Sequence, residues 1–181
     1  MKKRRLFVGV VVSILTGLLL GGCAAGGGAK SDFTRTTIDV GIVVSDVEKA
    51  AQFYTKALGF TEVEGFDVPA DMGSGSGLTD NQPFHVRVFV LAEGPTATNI
   101  KLMEFPDAPG KKVDNQFIHS SLGLSYLTIF VSDTATAVER AKKAGVVPLK
   151  EPYRIRQGKN FLTLVRDPDG NIIELVGPMG D

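Results

Sequence analysis

Few side chains in this 181-residue chain have the chemistry of a reactive site. There are two histidines, His85 and His119, and one cysteine, Cys23. Asp39 stands seven residues before Asp46, and Tyr126 stands seven before Asp133. Asp46 and Asp133 are of the type that caps a helix N-terminus, so Asp39 and Tyr126 fall on strands at equivalent points of two halves. His85 and Arg87 alternate with Val86, Val88 and Val90, which puts the histidine and the arginine on one strand face. A lone strand histidine is more often a half-exposed polar residue than a ligand, and His119 lies in a polar connecting segment and reads as solvated. The run Gly73-Ser74-Gly75-Ser76-Gly77 is not a phosphate cradle: it lacks a following Lys-Ser/Thr and has the wrong glycine spacing.

The elements that must position these residues repeat. Thr37 to Val44 reads as a strand rich in β-branched residues. A helix follows Asp46, with Val47, Ala50, Ala51, Tyr54, Ala57 and Leu58 on one face and Gly59 as its C-terminal glycine. Phe60–Phe66, Phe84–Leu91 and Asn99–Phe105 read as strands, with Lys101 and Met103 opposite Ile100 and Leu102. Val68–Gln82 reads as a long mobile loop, a candidate lid. The second half runs as strand 124–131, a helix capped by Asp133 and ended by Gly145, then strands 146–149, 160–166 and 171–176. Asp167-Pro168-Asp169-Gly170 is a tight turn. The expected fold class is α+β: two βαβββ modules, residues 36–105 and 123–178, joined by a connection at 106–122. Paired, they form a curved-sheet cleft with helices outside.

The N-terminus predicts export. Lys2, Lys3, Arg4 and Arg5 precede an apolar run from Leu6 to Leu20, the layout of a secretory signal and short for a permanent span. Leu20-Gly21-Gly22-Cys23 resembles the bacterial lipobox, which implies a signal peptide over 1–22, lipidation at Cys23 and a flexible tether over 23–35. Ala24 after the cysteine favours the outer membrane where the cell has one. With the only cysteine so used, no disulfide staples the fold. The leader holds four of the 20 basic residues, so the mature chain faces 20 acidic residues with 16 basic ones. No basic stripe and no tryptophan argue against nucleic acid as a partner.

Val40-Gly41-Ile42-Val43-Val44-Ser45-Asp46, then Phe53-Tyr54 and Leu58-Gly59-Phe60, resembles the opening module of the vicinal oxygen chelate superfamily. Asp167-Pro168-Asp169-Gly170-Asn171-Ile172-Ile173-Glu174-Leu175 resembles the close of its second module. The superfamily includes glyoxalase I, bleomycin-resistance proteins and extradiol dioxygenases, so the resemblance implies the fold more than a function. In metal-dependent members a ligand sits on the first and fourth strands of each module. Carried over, those positions fall on Asp39 and Tyr126, where histidine is usual, and on Lys101 and Glu174, where glutamate is usual. Only Glu174 keeps its usual identity. A protonated lysine has no lone pair to offer and repels a cation. The resemblance therefore implies a vacated metal site and no cofactor, with Lys101 bridging Asp39 and Glu174 in place of the ion. As an alternative, the two carboxylates could work as acid and base.

The reading that follows is a membrane-tethered protein that binds a small, partly apolar molecule. Asp39, Arg87, Lys101, Tyr126 and Glu174 would supply polar contacts, and Phe89, Met103 and Phe130 apolar walls. No catalytic residue is assigned. Two alternatives remain open: a metal-dependent lyase, isomerase or dioxygenase of the glyoxalase type, and a non-catalytic interaction module of the cell envelope. Both a cleft within one chain and one shared across a homodimer fit the repeat.

Overall fold

The structure, a computed structural model, describes residues 33–94, 96–155 and 158–180. The signal segment, Cys23 and the tether up to Asp32 lie outside the described residues. The folded unit begins at Arg35, the last residue of the predicted tether, which already pairs with Asp39 at 2.8 Å.

Module one runs β1 (Val40–Val43), α1 (Val47–Gln52), a π-helical turn (Phe53–Ala57), β2 (Thr61–Val68), α2 (Ala70–Ser76), β3 (Phe84–Val90) and β4 (Asn99–Met103). Module two runs β5 (Tyr126–Phe130), α3 (Thr134–Lys143), β6 (Tyr153–Arg154), β7 (Asn160–Arg166) and β8 (Ile172–Pro178). Each module folds into one four-stranded sheet, ordered β1-β4-β3-β2 and β5-β8-β7-β6. The first and last strands of each module pair in parallel, and the remaining pairs are antiparallel. The two βαβββ modules of the α+β expectation are thus present, in the predicted order.

Local chemistry accounts for the helix boundaries. Asp46 accepts a hydrogen bond from the Lys49 N–H, and Asp133 from that of Ala135, each satisfying an orphan donor of the first turn. Gly59 and Gly145 leave their helices at φ of 86° and 81°, where a side chain would be strained. The π turn has a local cause. The Thr55 hydroxyl donates to the Ala51 carbonyl at 2.7 Å and competes for an acceptor of the α ladder. The ladder then widens, with the Leu58 N–H reaching the Phe53 carbonyl. Phe53 and Tyr54 are both buried there, their rings edge-on at 5.4 Å.

Two sequence expectations fail. The segment expected to be a mobile loop contains α2. Its glycines give it poor helix propensity, but Gly73 is buried and its carbonyl accepts from the N–H groups of Leu78 and Thr79. A Cβ at Gly73 would lie 2.5 Å from Thr79 Oγ1, so close packing of the backbone holds the turn. Residues 146–149 are not a strand. Val147 is exposed, a single bond ties the Leu149 N–H to the Leu164 carbonyl, and the edge strand forms later, at Tyr153–Arg154.

One hydrophobic core joins the modules. Phe89, Ile100 and Leu102 of the first sheet meet Ala50, Tyr54 and Ala57 below them. The same cluster includes Ile129, Ala137, Ala141, Val165, Ile173 and Leu175 of module two. Polar ties close the seam: Arg140 Nε donates to the Ala57 carbonyl, and the Ser45 N–H donates to Asp169. The other face of the first sheet carries a smaller cluster of Val68, Val86 and Val88 with Phe84 and Met103 against it.

Candidate functional site

Strand register decides which side chains share the open face of the first sheet. Val88 pairs with Lys101 and Val90 with Asn99, so these residues project together, away from the helices. Gly41 pairs with Lys101 in the parallel β1–β4 ladder, and Asp39 lies two residues before Gly41. The result is an ion pair of 2.8 Å between Lys101 Nζ and Asp39 Oδ2. Arg35 reaches the same oxygen at 2.8 Å, and Asn99 Nδ2 donates to Oδ1 at 3.1 Å. The Lys101 ammonium lies 5.8 Å from the centre of the Phe66 ring.

The Asp39 side chain is 14% exposed and that of Lys101 31%. The hydrogen bond from Lys101, helped by those from Arg35 and Asn99, holds the Asp39 carboxyl far below the usual carboxylate range, against an opposing effect of burial. Asp39 is therefore held as an anion at neutral pH.

The second pair of predicted positions behaves differently. Glu174 sits opposite Thr128 in the β5–β8 ladder and accepts a hydrogen bond of 2.5 Å from the Thr128 hydroxyl. Lys101 bridges to Asp39, whereas Glu174 accepts its hydrogen bond within its own module. Tyr126 is 48% exposed at the start of β5. It lines a groove of about 230 Å³ walled by residues 40–43 of β1, 124–127 leading into β5, and 171–172. Tyr126, Gly41 and Val43 therefore line one space; Lys101 is the ladder partner of Gly41 and Asp39 lies two residues before it, so the ion pair adjoins the groove without lining it.

Arg87 is not part of this site. It alternates with Val86 and Val88 and projects to the helix side. There it donates to Glu62 through Nε and Nη2 at 2.7 and 2.9 Å, and to Glu48 through Nη1 at 2.7 Å. Phe89 is on the same side and fully buried, so it is core and not a groove wall. His85 follows Arg87 to that side and pairs with Asp67 at 2.6 Å. Met103 packs on the open-face cluster, and Phe130 is 79% exposed. Arg87→Gln is expected to cost about 1 kcal/mol, since a partly buried fork to two carboxylates is worth more than a fully exposed pair. Urea unfolding measures that loss.

The donor set does not fit a divalent ion. Asp39 already faces two cations, Lys101 contributes an ammonium with no lone pair and a charge that repels the ion, and Tyr126 offers a phenol in place of an imidazole. Among the described residues, no three His, Cys, Asp or Glu side chains converge. What the arrangement offers is charge and surface: two cations around one anion beside a mainly apolar groove. Arg35 and Asn99 were missed in the sequence. The signals were present, because Arg35 precedes Asp39 by four residues and Asn99 shares a strand face with Lys101.

Comparisons with known proteins agree on the family. Residues 37–175 match the Glyoxalase/Bleomycin resistance protein/Dioxygenase superfamily. A probable chloroplastic lactoylglutathione lyase of Arabidopsis thaliana is 28% identical over 142 residues, 78% of this chain and 35% of that protein. A putative lactoylglutathione lyase of Brassica oleracea var. gemmifera is 26% identical over 74% of this chain and 41% of its own length. The chain thus spans well under half of these relatives. Among solved structures, a glyoxalase family protein from Bacillus cereus superposes with a TM-score of 0.69 at 23% identity, covering 84% of this chain and 99% of that one. Glyoxalase I from Zea mays superposes with a TM-score of 0.61 at 17% identity, over 80% of this chain and 45% of the maize chain. At these identities the structures speak for the fold, and the sequence match over residues 37–175 for the family. This chain belongs to the glyoxalase/bleomycin resistance protein/dioxygenase superfamily.

Proposed function

We propose that this protein holds a small, partly apolar molecule in the groove between β1 and β5, without a metal, while tethered to a membrane through lipidated Cys23. The observation that carries the reading is the Asp39–Lys101 ion pair. A fixed ammonium and its counter-charge stand at positions where metal-dependent members of the family carry ligands, so positive charge is already supplied there without an ion. The groove supplies the other ingredient of a small-ligand site, apolar walls with few polar groups. The tether rests on the charged leader, the short apolar run and Leu20-Gly21-Gly22-Cys23.

A second reading is supported by the two plant relatives, both named as lactoylglutathione lyases. It makes this chain a metal-dependent enzyme of the glyoxalase type. Thermal unfolding of the full chain with a panel of small aromatics, amphiphiles and Ni²⁺, Zn²⁺ or Fe²⁺ separates the readings. Stabilisation by organic ligands alone is expected, because a ligand that binds only the folded state raises the midpoint by mass action. A shift with a metal that Glu174→Ala abolishes would favour the enzyme, and no shift with any compound would leave an interaction module.

A further inference from the structure

We infer that the molecule held in this groove carries one negatively charged end, a carboxylate, on a compact apolar body. The inference rests on the groove being a ligand site and adds the ligand's chemical class. Arg35 and Lys101 both converge on Oδ2 of Asp39. Two cations answered by one carboxylate leave a surplus of one positive charge on this part of the open face. The donor count gives the same sign. An ammonium has three N–H donors and a guanidinium five, and each makes one contact with Asp39. Both side chains keep part of their surface in water, 31% for Lys101 and 43% for Arg35, so an incoming anion can reach them. Asp39 stays ionised and holds the two cations in place, as a preorganised counter-charge. It does not invite a cationic ligand, because such a ligand would meet Lys101 and Arg35 first.

The apolar body has its own surfaces. The half-exposed ring of Phe66 lies beside the Lys101 ammonium. On β1, Val43 is half exposed, and Gly41 between Asp39 and Val43 carries no side chain. A Cβ at Gly41 would stand 3.2 Å from Met103 Cε, so the bare backbone here lets Met103 lie close and keeps the strand surface low. Tyr126 faces this strip from the other wall. The cations thus flank the groove wall at Gly41, the ladder partner of Lys101, with apolar surface beside them, an arrangement that fits an aryl or short alkyl carboxylate.

The test uses the full chain in lipid nanodiscs, with empty nanodiscs as the blank, titrated calorimetrically with 4-phenylbutyrate, 4-phenylbutyramide and 4-phenylbutylamine. These probes share one apolar body and differ in the charge of the end group. The carboxylate is expected to bind about tenfold tighter than the amide, the usual gain of a charge-assisted contact, with the amine weakest. Lys101→Gln is expected to bring the carboxylate down to the affinity of the amide, and Lys101→Arg to keep the preference. Should Lys101→Gln fail to fold, Arg35→Gln is expected to narrow the preference. Equal binding of carboxylate and amide, or tightest binding of the amine, would overturn the anion assignment while leaving the groove a ligand site. Binding of none of the three would overturn both.

Discussion

Replacing Phe89 by alanine is expected to destabilise the protein by about 3–5 kcal/mol, the range for truncating a large aromatic in a close-packed core. Phe89 has no exposed surface, and its ring lies 6.3 Å from that of Tyr54 and within the cluster that joins both modules. The void would open where sheet, π turn and second module meet, and a site fixed from three sides relaxes little. Phe130→Ala is the matched control. Its side chain is 79% exposed on β5, so truncation is expected to change stability by less than about 1 kcal/mol. Chemical denaturation of both variants reads the contrast. Similar losses would mean that Phe89 is not in the core described.

The second large effect is electrostatic. Lys101→Glu is expected to cost about 2 kcal/mol at pH 7 and, more tellingly, to reverse the pH dependence of stability at this site. In the native chain the folded Asp39 carboxyl titrates far below its unfolded counterpart. Its contribution is therefore complete above the unfolded pKa and is lost only as pH falls through the folded value. In the variant, two carboxylates share the position that Lys101 and Asp39 occupy. Like charges raise their apparent pKa values above the unfolded ones. Stabilisation is then present at low pH and lost as pH rises through the raised values. Arg35 and partial solvation soften the penalty, so it stays below that of a fully buried charge. Urea midpoints between about pH 4 and pH 7 should fall with pH relative to the native protein. A constant offset across that range would contradict the pairing.

Much of the fold was legible because its signals are local. Asp46 and Asp133 are read as caps from residue type alone, and Gly59 and Gly145 as helix ends, because each acts through backbone bonds within a few residues. Alternation along β3 correctly separated Val86, Val88 and Val90 from His85, Arg87 and Phe89. It could not say which set faces the helices, since a period of two is symmetric between faces. Glu48 and Glu62 decide that question for Arg87, from an adjacent helix and an adjacent strand. The α2 helix was misread for the opposite reason: its glycine and serine content argues for a loop, and only the burial of Gly73 overrides that preference. At the site, the family pattern led to Asp39, Lys101, Tyr126 and Glu174. The structure separates them by partner, with Asp39 held by Lys101 and Arg35, Tyr126 in the groove wall, and Glu174 bound to Thr128.

The claim that this groove works without a metal is most directly tested by elemental analysis. The full chain would be purified without chelators, equilibrated with excess Ni²⁺, Zn²⁺ and Fe²⁺, desalted and measured by mass spectrometry. A small fraction of one divalent ion per chain is expected, unaffected by Glu174→Ala. One tightly held ion per chain, lost in Glu174→Ala, would contradict it.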